Sequence, residues 1–254
     1  MKDNLVNELP IGVAIQENGR LTYVNEAFTA LTRGLNPQSL DSMLQPLDEE
    51  YTISIQHQDE QSFLRVRVQG DDERRIYTVD NITEQKAREE ALRMEALTDH
   101  KTGIWNSTAY SADIEREVNR VNRYNGPLTL ITLDFDDFKS MNTKHGHPGG
   151  DKLLRWFAQG LQNSLHRDSD RAYRTGGDEF AIITPSIVPA SFPNRIAEYL
   201  RNNPCPDPMQ SITASIGVAE HLTGNSVADL EAMADQAMYL AKDKGKDRVE
   251  FYRT

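Results

Sequence analysis

With 254 residues, 39 acidic against 28 basic side chains and a net charge of −11, the chain is long enough for two compact domains. It is too acidic to wrap a nucleic-acid polymer, whose phosphates need a basic face. Its single cysteine, Cys205, excludes a disulfide framework within one chain and fits a reducing cytoplasm. Met1-Lys2-Asp3-Asn4 leads into no signal-peptide core, and no apolar run approaches the roughly 20 residues that span a bilayer, so no membrane segment is expected in this chain. A longer parent chain leaves room for one.

Residues 1–82 read as a small mixed domain. Residues 11–16 alternate as a strand, Glu17-Asn18-Gly19-Arg20 signals a hairpin, and 21–24 return as a second strand. Asn25 is placed to cap a short helix that turns Phe28, Leu31 and Ala27 inward. Further strands are predicted over 51–57, 63–69 and 75–79. His57 falls in phase with Ile53 and Ile55, and its reading is a core or edge histidine rather than a haem ligand.

Residues 83–97 (TEQKAREEALRMEAL) are rich in strong helix formers and predict one helical linker, with Thr83 as its N-cap and Lys86 giving only a partial capping box. Ala87, Ala91 and Met94 form a thin apolar seam that Leu92 and Ala96 widen. It is read as a paired signalling helix acting on a downstream dimer, with a plain surface connector as the alternative. The two EAL tripeptides inside it are chance letters on a helix, since no segment of barrel size remains for a phosphodiesterase.

Residues 98–254 alternate helix and strand. A helix is predicted over 107–124. The apolar run 127–135 (PLTLITLDF) reads as a buried central strand that delivers Asp134 at its C-terminal end, where sites in α/β folds gather. Residues 150–166 carry Leu153, Leu154, Phe157, Leu161 and Leu165 on one helical face. Arg174-Thr175-Gly176-Gly177-Asp178-Glu179-Phe180 then joins strands at 172–174 and 180–184. Gly176 and Gly177 predict a tight hairpin with positive φ, holding Asp178 and Glu179 at its tip. A helix at 194–201, a strand at 210–219, a helix at 227–242 and a strand at 248–252 follow. A strand-end carboxylate beside hairpin carboxylates is a way to hold Mg²⁺ for phosphate chemistry.

These motifs carry a resemblance. Asp134-Phe135-Asp136-Asp137-Phe138-Lys139, Asn142, Gly146-His147, Gly150-Asp151, Leu154 and RTGGDEF are similar to the GGDEF family of diguanylate cyclases, over about 98–252. Asp99-His100-Lys101-Thr102-Gly103-Ile104-Trp105-Asn106 resembles the family's opening motif. Ala214-Ser215-Ile216-Gly217-Val218-Ala219 and Ala237-Met238-Tyr239-Leu240-Ala241-Lys242 resemble its later strand and helix.

The resemblance implies an α/β (α+β) domain like a nucleotidyl-cyclase or polymerase palm. The implied reaction condenses two GTP into cyclic di-GMP and two pyrophosphates in a homodimer. Asp134, the carbonyl of Phe135, Asp178 and Glu179 are the implied Mg²⁺ ligands, with Mn²⁺ as a substitute. Asp178 would also take the 3′-hydroxyl proton, with Glu179 as an orienting acid. Lys139 and the N–H groups near Phe138 would stabilise phosphate charge. Asn142 and Asp151 would read guanine, Lys242 and Lys246 would hold phosphates, and Gly176 and Gly177 would let the nucleotide approach. Arg167 and Asp170 form an RxxD at the spacing of the family's inhibitory cyclic di-GMP site.

The chain departs from the family pattern at Thr143 (usually Asp), Lys246 (usually Arg), Lys101 (usually Leu) and Ser107 (commonly Arg). None of these is a metal ligand, and Lys246 loses the bidentate fork of arginine. Upstream, Leu9-Pro10-Ile11-Gly12-Val13, Tyr23-Val24-Asn25-Glu26-Ala27-Phe28 and Asp80-Asn81-Ile82-Thr83-Glu84-Gln85 resemble a PAS sensor, which implies a five-stranded antiparallel sheet with helices and an unknown ligand. With no cysteine before Cys205, cysteinyl-flavin photochemistry is excluded, and neither haem nor flavin is expected.

Overall fold

The structure, a computed structural model, describes residues 10–32, 50–57, 60–71, 73–165, 169–203, 205 and 212–253. The chain divides into two compact units, 1–93 and 94–254.

In the first unit, β1 (Gly12–Glu17), β2 (Arg20–Val24), β3 (Glu50–His57), β4 (Glu60–Gly70) and β5 (Arg74–Asn81) form one sheet in the order β2-β1-β5-β4-β3. Every pairing in it is antiparallel. Its strands bury alternate residues, as a sheet packed on one face does. Ala14, Leu64, Val66, Val68, Tyr77 and Val79 form a core with Phe28 of α1 (Glu26–Thr32). Asn25 caps α1 as expected, its Oδ1 accepting from the Phe28 N–H at 2.8 Å. The side chain of His57 lies outside the described residues.

Helix α2 (Thr83–Leu97) has the predicted bounds and no buried residue. Thr83 is not its cap. It is the first helical residue, and its hydroxyl instead accepts from the Phe63 N–H on β4 at 2.9 Å.

The second unit holds α3 (Ser107–Tyr124), β6 (Thr129–Phe135), α4 (Phe138–Ser164), β7 (Arg171–Arg174), β8 (Glu179–Thr184), α5 (Ser191–Asn202), β9 (Ala214–Glu220), α6 (Val227–Asp243) and β10 (Arg248–Phe251). The sheet order is β10-β9-β6-β8-β7. The apolar β6 takes the centre, antiparallel to β8 and β9, while β10 runs parallel to β9. Both faces are covered: Ile131, Leu133, Phe180 and Ile182 pack with α4 and α5, whereas Leu130, Ala181 and Ile183 pack with α3 and α6. Gly217 permits the close crossing of α6, since a Cβ there would stand 2.2 Å from the Ala234 carbonyl oxygen. Among the described residues, no helix is long and apolar enough to cross a membrane.

Two local expectations change. Helix α4 starts twelve residues before the predicted helix at 150 and contains a break at Gly146 (φ 71, ψ 170), next to Pro148. Neither glycine of the RTGGDEF turn has positive φ, and residues 175–178 form a four-residue connection rather than a tight turn. A Cβ at Gly176 would come within 2.8 Å of Glu179 Oε2, the end of a flexible side chain that can turn aside.

Candidate active site

The register of β6 against β8 sets Asp134 opposite Glu179. The carbonyl of Asp178 accepts from the Phe135 N–H at 3.4 Å, so two acidic stretches distant in sequence meet at one end of the central strand pair. Their turn is braced by Arg174. Its Nη2 donates to the Gly177 carbonyl at 2.7 Å, and its Nη1 reaches both oxygens of Asp99 at 3.1 and 3.2 Å. Asp99 also accepts from the Thr102 N–H and hydroxyl. Burial opposes its ionisation, but the bonds from Thr102 and Arg174 together outweigh it and hold the carboxyl below its ordinary range.

The three aspartates at 134, 136 and 137 have separate tasks. Asp136 is buried and accepts from Thr213 Oγ1 at 2.6 Å, Ser215 Oγ at 2.7 Å and the Asp247 N–H at 3.0 Å, which makes it a structural tie to β9 and to the turn before β10. Asp137 is exposed and receives Lys246 Nζ at 2.7 Å. Asp134 is half-buried and its Oδ1 pairs with Lys242 Nζ at 2.9 Å. Burial pushes the Asp134 carboxyl above the ordinary carboxylate range; Lys242 opposes the shift, and the charges of Asp178 and Asp136 add to it.

Among the described residues no three His, Cys, Asp or Glu side chains converge as a ready-made metal cage. Mg²⁺ does not require one, because it is held by one or two carboxylates together with substrate phosphates and water. Asp134, Asp178 and the Phe135 carbonyl are an all-oxygen donor set of that kind. The charge of Asp178 is close enough to Asp134 to add to the upward shift of its carboxyl.

Beside these acids lies a cavity of about 390 Å³ lined by Phe138, Lys139, Asn142, Thr143, His147 and Asp178. It places Lys139 and the opening turn of α4, whose first N–H groups lack intrahelical acceptors, next to the hairpin acid. On the other side, Glu179 and Lys242 share a second cavity of about 350 Å³ with Thr132, Thr175, Asp235 and Tyr239.

The break at Gly146 shapes the far end. It folds the two halves of α4 toward each other, so that Asn142 Oδ1 lies 2.0 Å from where a Gly150 Cβ would be. Asn142 therefore lies against the backbone at Gly150, the residue before Asp151. The Asp151 carboxylate is in turn bound by Lys101 Nζ at 2.9 Å. That bond, ahead of the smaller effects of Arg155 and Arg174, holds Asp151 below the ordinary range.

The two lysines that the resemblance implies as phosphate ligands are each paired with a carboxylate, Lys242 with Asp134 and Lys246 with Asp137. The backbone turn that presents Lys246 has positive φ at Lys246 and Asp247. Arg201 pins it through Asp247 at 2.8 and 3.0 Å. Arg167 lies outside the described residues, whereas Asp170 accepts from the Thr184 hydroxyl. Sequence reasoning missed the bracing pair Arg174 and Asp99, although both stood inside the quoted motifs. It noticed Lys101 only as a departure.

The fold and the acidic site define a domain of the GGDEF type. The family model "Diguanylate cyclase, GGDEF domain" matches residues 96–248, and the chain belongs to that family. It is 34% identical over 67% of its length to the diguanylate cyclase VdcA of Vibrio cholerae, and 36% identical over 83% of its length to the diguanylate cyclase DgcP of Pseudomonas aeruginosa. The chain spans 50% and 32% of the lengths of those two relatives. Among solved structures, the coiled coil and GGDEF domain of DgcB from Caulobacter crescentus, in complex with c-di-GMP, matches with a TM-score of 0.62 at 28% identity. That match covers 67% of this chain and 93% of the other.

Proposed function

We propose that this chain is a diguanylate cyclase that condenses two GTP into cyclic di-GMP with release of two pyrophosphates. The observation that carries the reading is the β6–β8 register, which brings Asp134, the Phe135 backbone and Asp178 together beside the cavity of Lys139 and Asn142. Each 3′-hydroxyl oxygen bonds to the α-phosphorus of the other nucleotide as the bond to pyrophosphate breaks. The hydroxyl proton passes to Asp178. Asp134, Asp178, Glu179 and the Phe135 carbonyl would hold Mg²⁺, or Mn²⁺ in its place, which would supply charge neutralisation at the phosphates.

Lys139 and the α4 N-terminus stabilise the charge that develops on the phosphates. Asn142 and Asp151 meet the guanine edge, and Gly176 and Gly177 keep the approach open. Lys242 and Lys246 exchange their carboxylates for phosphate oxygens on binding. The exchange is inexpensive, because partly exposed ion pairs contribute only about 0–1 kcal/mol.

One protomer offers one nucleotide site, so the reaction needs a homodimer. The exposed seam of α2, with Leu92 and Met94 open to solvent, suits pairing with a second copy. The five-stranded antiparallel sheet of the first unit supports a PAS-like sensor role with a ligand of its own, and Arg167 with Asp170 is assigned to product inhibition. A binding module without turnover is the second reading, favoured by Lys242 sitting on Asp134. Incubating the chain with GTP and Mg²⁺ and separating the nucleotides tests both: cyclic di-GMP with two pyrophosphates supports the cyclase, and bound but unconverted GTP supports the module.

A further inference from the structure

Next to the Gly150 backbone that Asn142 approaches stands a group that the family pattern does not explain. Lys101 stands where the family usually has leucine, an apolar residue with no hydrogen-bonding capacity. Here its ammonium bonds Asp151 Oδ1 at 2.9 Å. Both side chains stay partly open, at 39% and 30% exposure, so the pair can still be reached by a ligand. The loop that bears Lys101 is fixed, since Asp99 two residues earlier is locked by Arg174 and Thr102, and the Asp99 carbonyl accepts from the Gly103 N–H at 2.8 Å.

The geometry points to Lys101 as a specificity-determining residue that donates to O6 of guanine while Asp151 accepts from the base's N1–H and 2-amino groups. This rests on the cyclase reading of the pocket and deepens it. The chemistry is complementary in order. Along its pairing edge guanine presents an acceptor at O6 and then two donors. An ammonium beside a carboxylate presents a donor and then an acceptor. Lysine has three N–H donors, of which one holds Asp151 and two remain for the base. Asp151 Oδ1 takes the lysine, and its second oxygen keeps its accepting capacity. Adenine, with an amino group at position 6 and no N1–H, would face the ammonium with a donor and the carboxylate with an acceptor. A site whose polar groups are left unmatched by a ligand disfavours that ligand.

The alternative role for Lys101 is to mask Asp151, competing with the base for its carboxylate. The two roles predict opposite consequences of removing the ammonium.

The experiment measures binding to the full chain by calorimetry with Mg²⁺, using α,β-methylene analogues of GTP, 6-thio-GTP and ITP, which cannot release pyrophosphate. Sulfur at position 6 accepts hydrogen bonds poorly, whereas inosine keeps O6 and lacks only the 2-amino group. The native chain is expected to prefer the GTP analogue over the 6-thio analogue by about tenfold, the value of one charge-assisted hydrogen bond. Lys101→Met abolishes that preference and leaves the GTP-to-ITP ratio unchanged, and Lys101→Arg restores it. Retention of the 6-thio preference in Lys101→Met, its absence in the native chain, or tighter GTP binding by Lys101→Met would each overturn the assignment. The readout does not require turnover: a chain that binds with this selectivity but forms no cyclic di-GMP sinks the cyclase reading and leaves the role of Lys101 standing. A chain that binds none of the analogues sinks both.

Discussion

The two sheets of this molecule have five strands each and differ in how they are buried. In the first unit, β1 alternates buried and half-buried residues, and β4 buries Leu64, Val66 and Val68 while Arg67 and Gln69 on its other face are exposed. In the second, β8 is buried at five successive positions and β9 at six. A sheet covered on both faces holds its strand ends rigidly. That suits an acid pair whose positions must be fixed against two phosphates, and the one-sided sheet of the first unit suits a domain that has a surface to spare. The lesson is that the same strand count supports a scaffold in one unit and an adaptable face in the other.

The comparison can be broken with neighbouring residues. Ile182→Ala and Ile183→Ala point to opposite faces of β8, and each is expected to cost about 2–5 kcal/mol in urea unfolding. On β4, Val66→Ala should cost about 2 kcal/mol, whereas the adjacent Arg67→Ala stays within about 0.5 kcal/mol. Equal costs for Val66 and Arg67 would mean that β4 is covered on both sides. A smaller effect is expected at the crossing of α6: Gly217→Ala forces a Cβ against the Ala234 backbone and should destabilise by about 1–3 kcal/mol. Since α6 carries Lys242, nucleotide binding should weaken with it.

The brace on the hairpin gives the smallest effect and a pH signature. The Asp99 carboxyl is held below its ordinary range in the folded state, so its contribution is fully present above the unfolded value and is lost as pH falls through the folded one. The second unit should therefore lose stability as pH falls below the ordinary carboxylate range, and Asp99→Asn should flatten that part of the profile. An unchanged acid profile in the variant would show that Arg174 does not depend on Asp99.

Much of this was legible in the sequence. Helices α2 and α3 were placed from the sequence, Thr83 to Leu97 being composed of helix formers, whereas the Asn106 cap that opens α3 was not read. Asp134 was placed at its strand end by the apolar run before it. What escaped depended on partners distant in the chain. The glycines at 176 and 177 were read for unusual dihedrals, and neither has positive φ. Gly146 has positive φ, and with Pro148, Gly149 and Gly150 beside it the sequence hid that a helix begins at Phe138. Asp136 looks like its neighbours in sequence, and only Thr213 and Ser215 from another strand make it structural. No local pattern indicates that Lys242, Lys246 and Lys101 each rest on an acid far away in the chain.

The central claim is that Asp134 and Asp178 act together on bound nucleotide, and pyrophosphate release from GTP and Mg²⁺ tests it most directly. In Asp134→Asn and in Asp178→Asn the rate should fall by about a hundredfold or more, with melting temperatures close to that of the native chain because neither side chain belongs to the apolar core. Native rates in either folded variant would contradict the account.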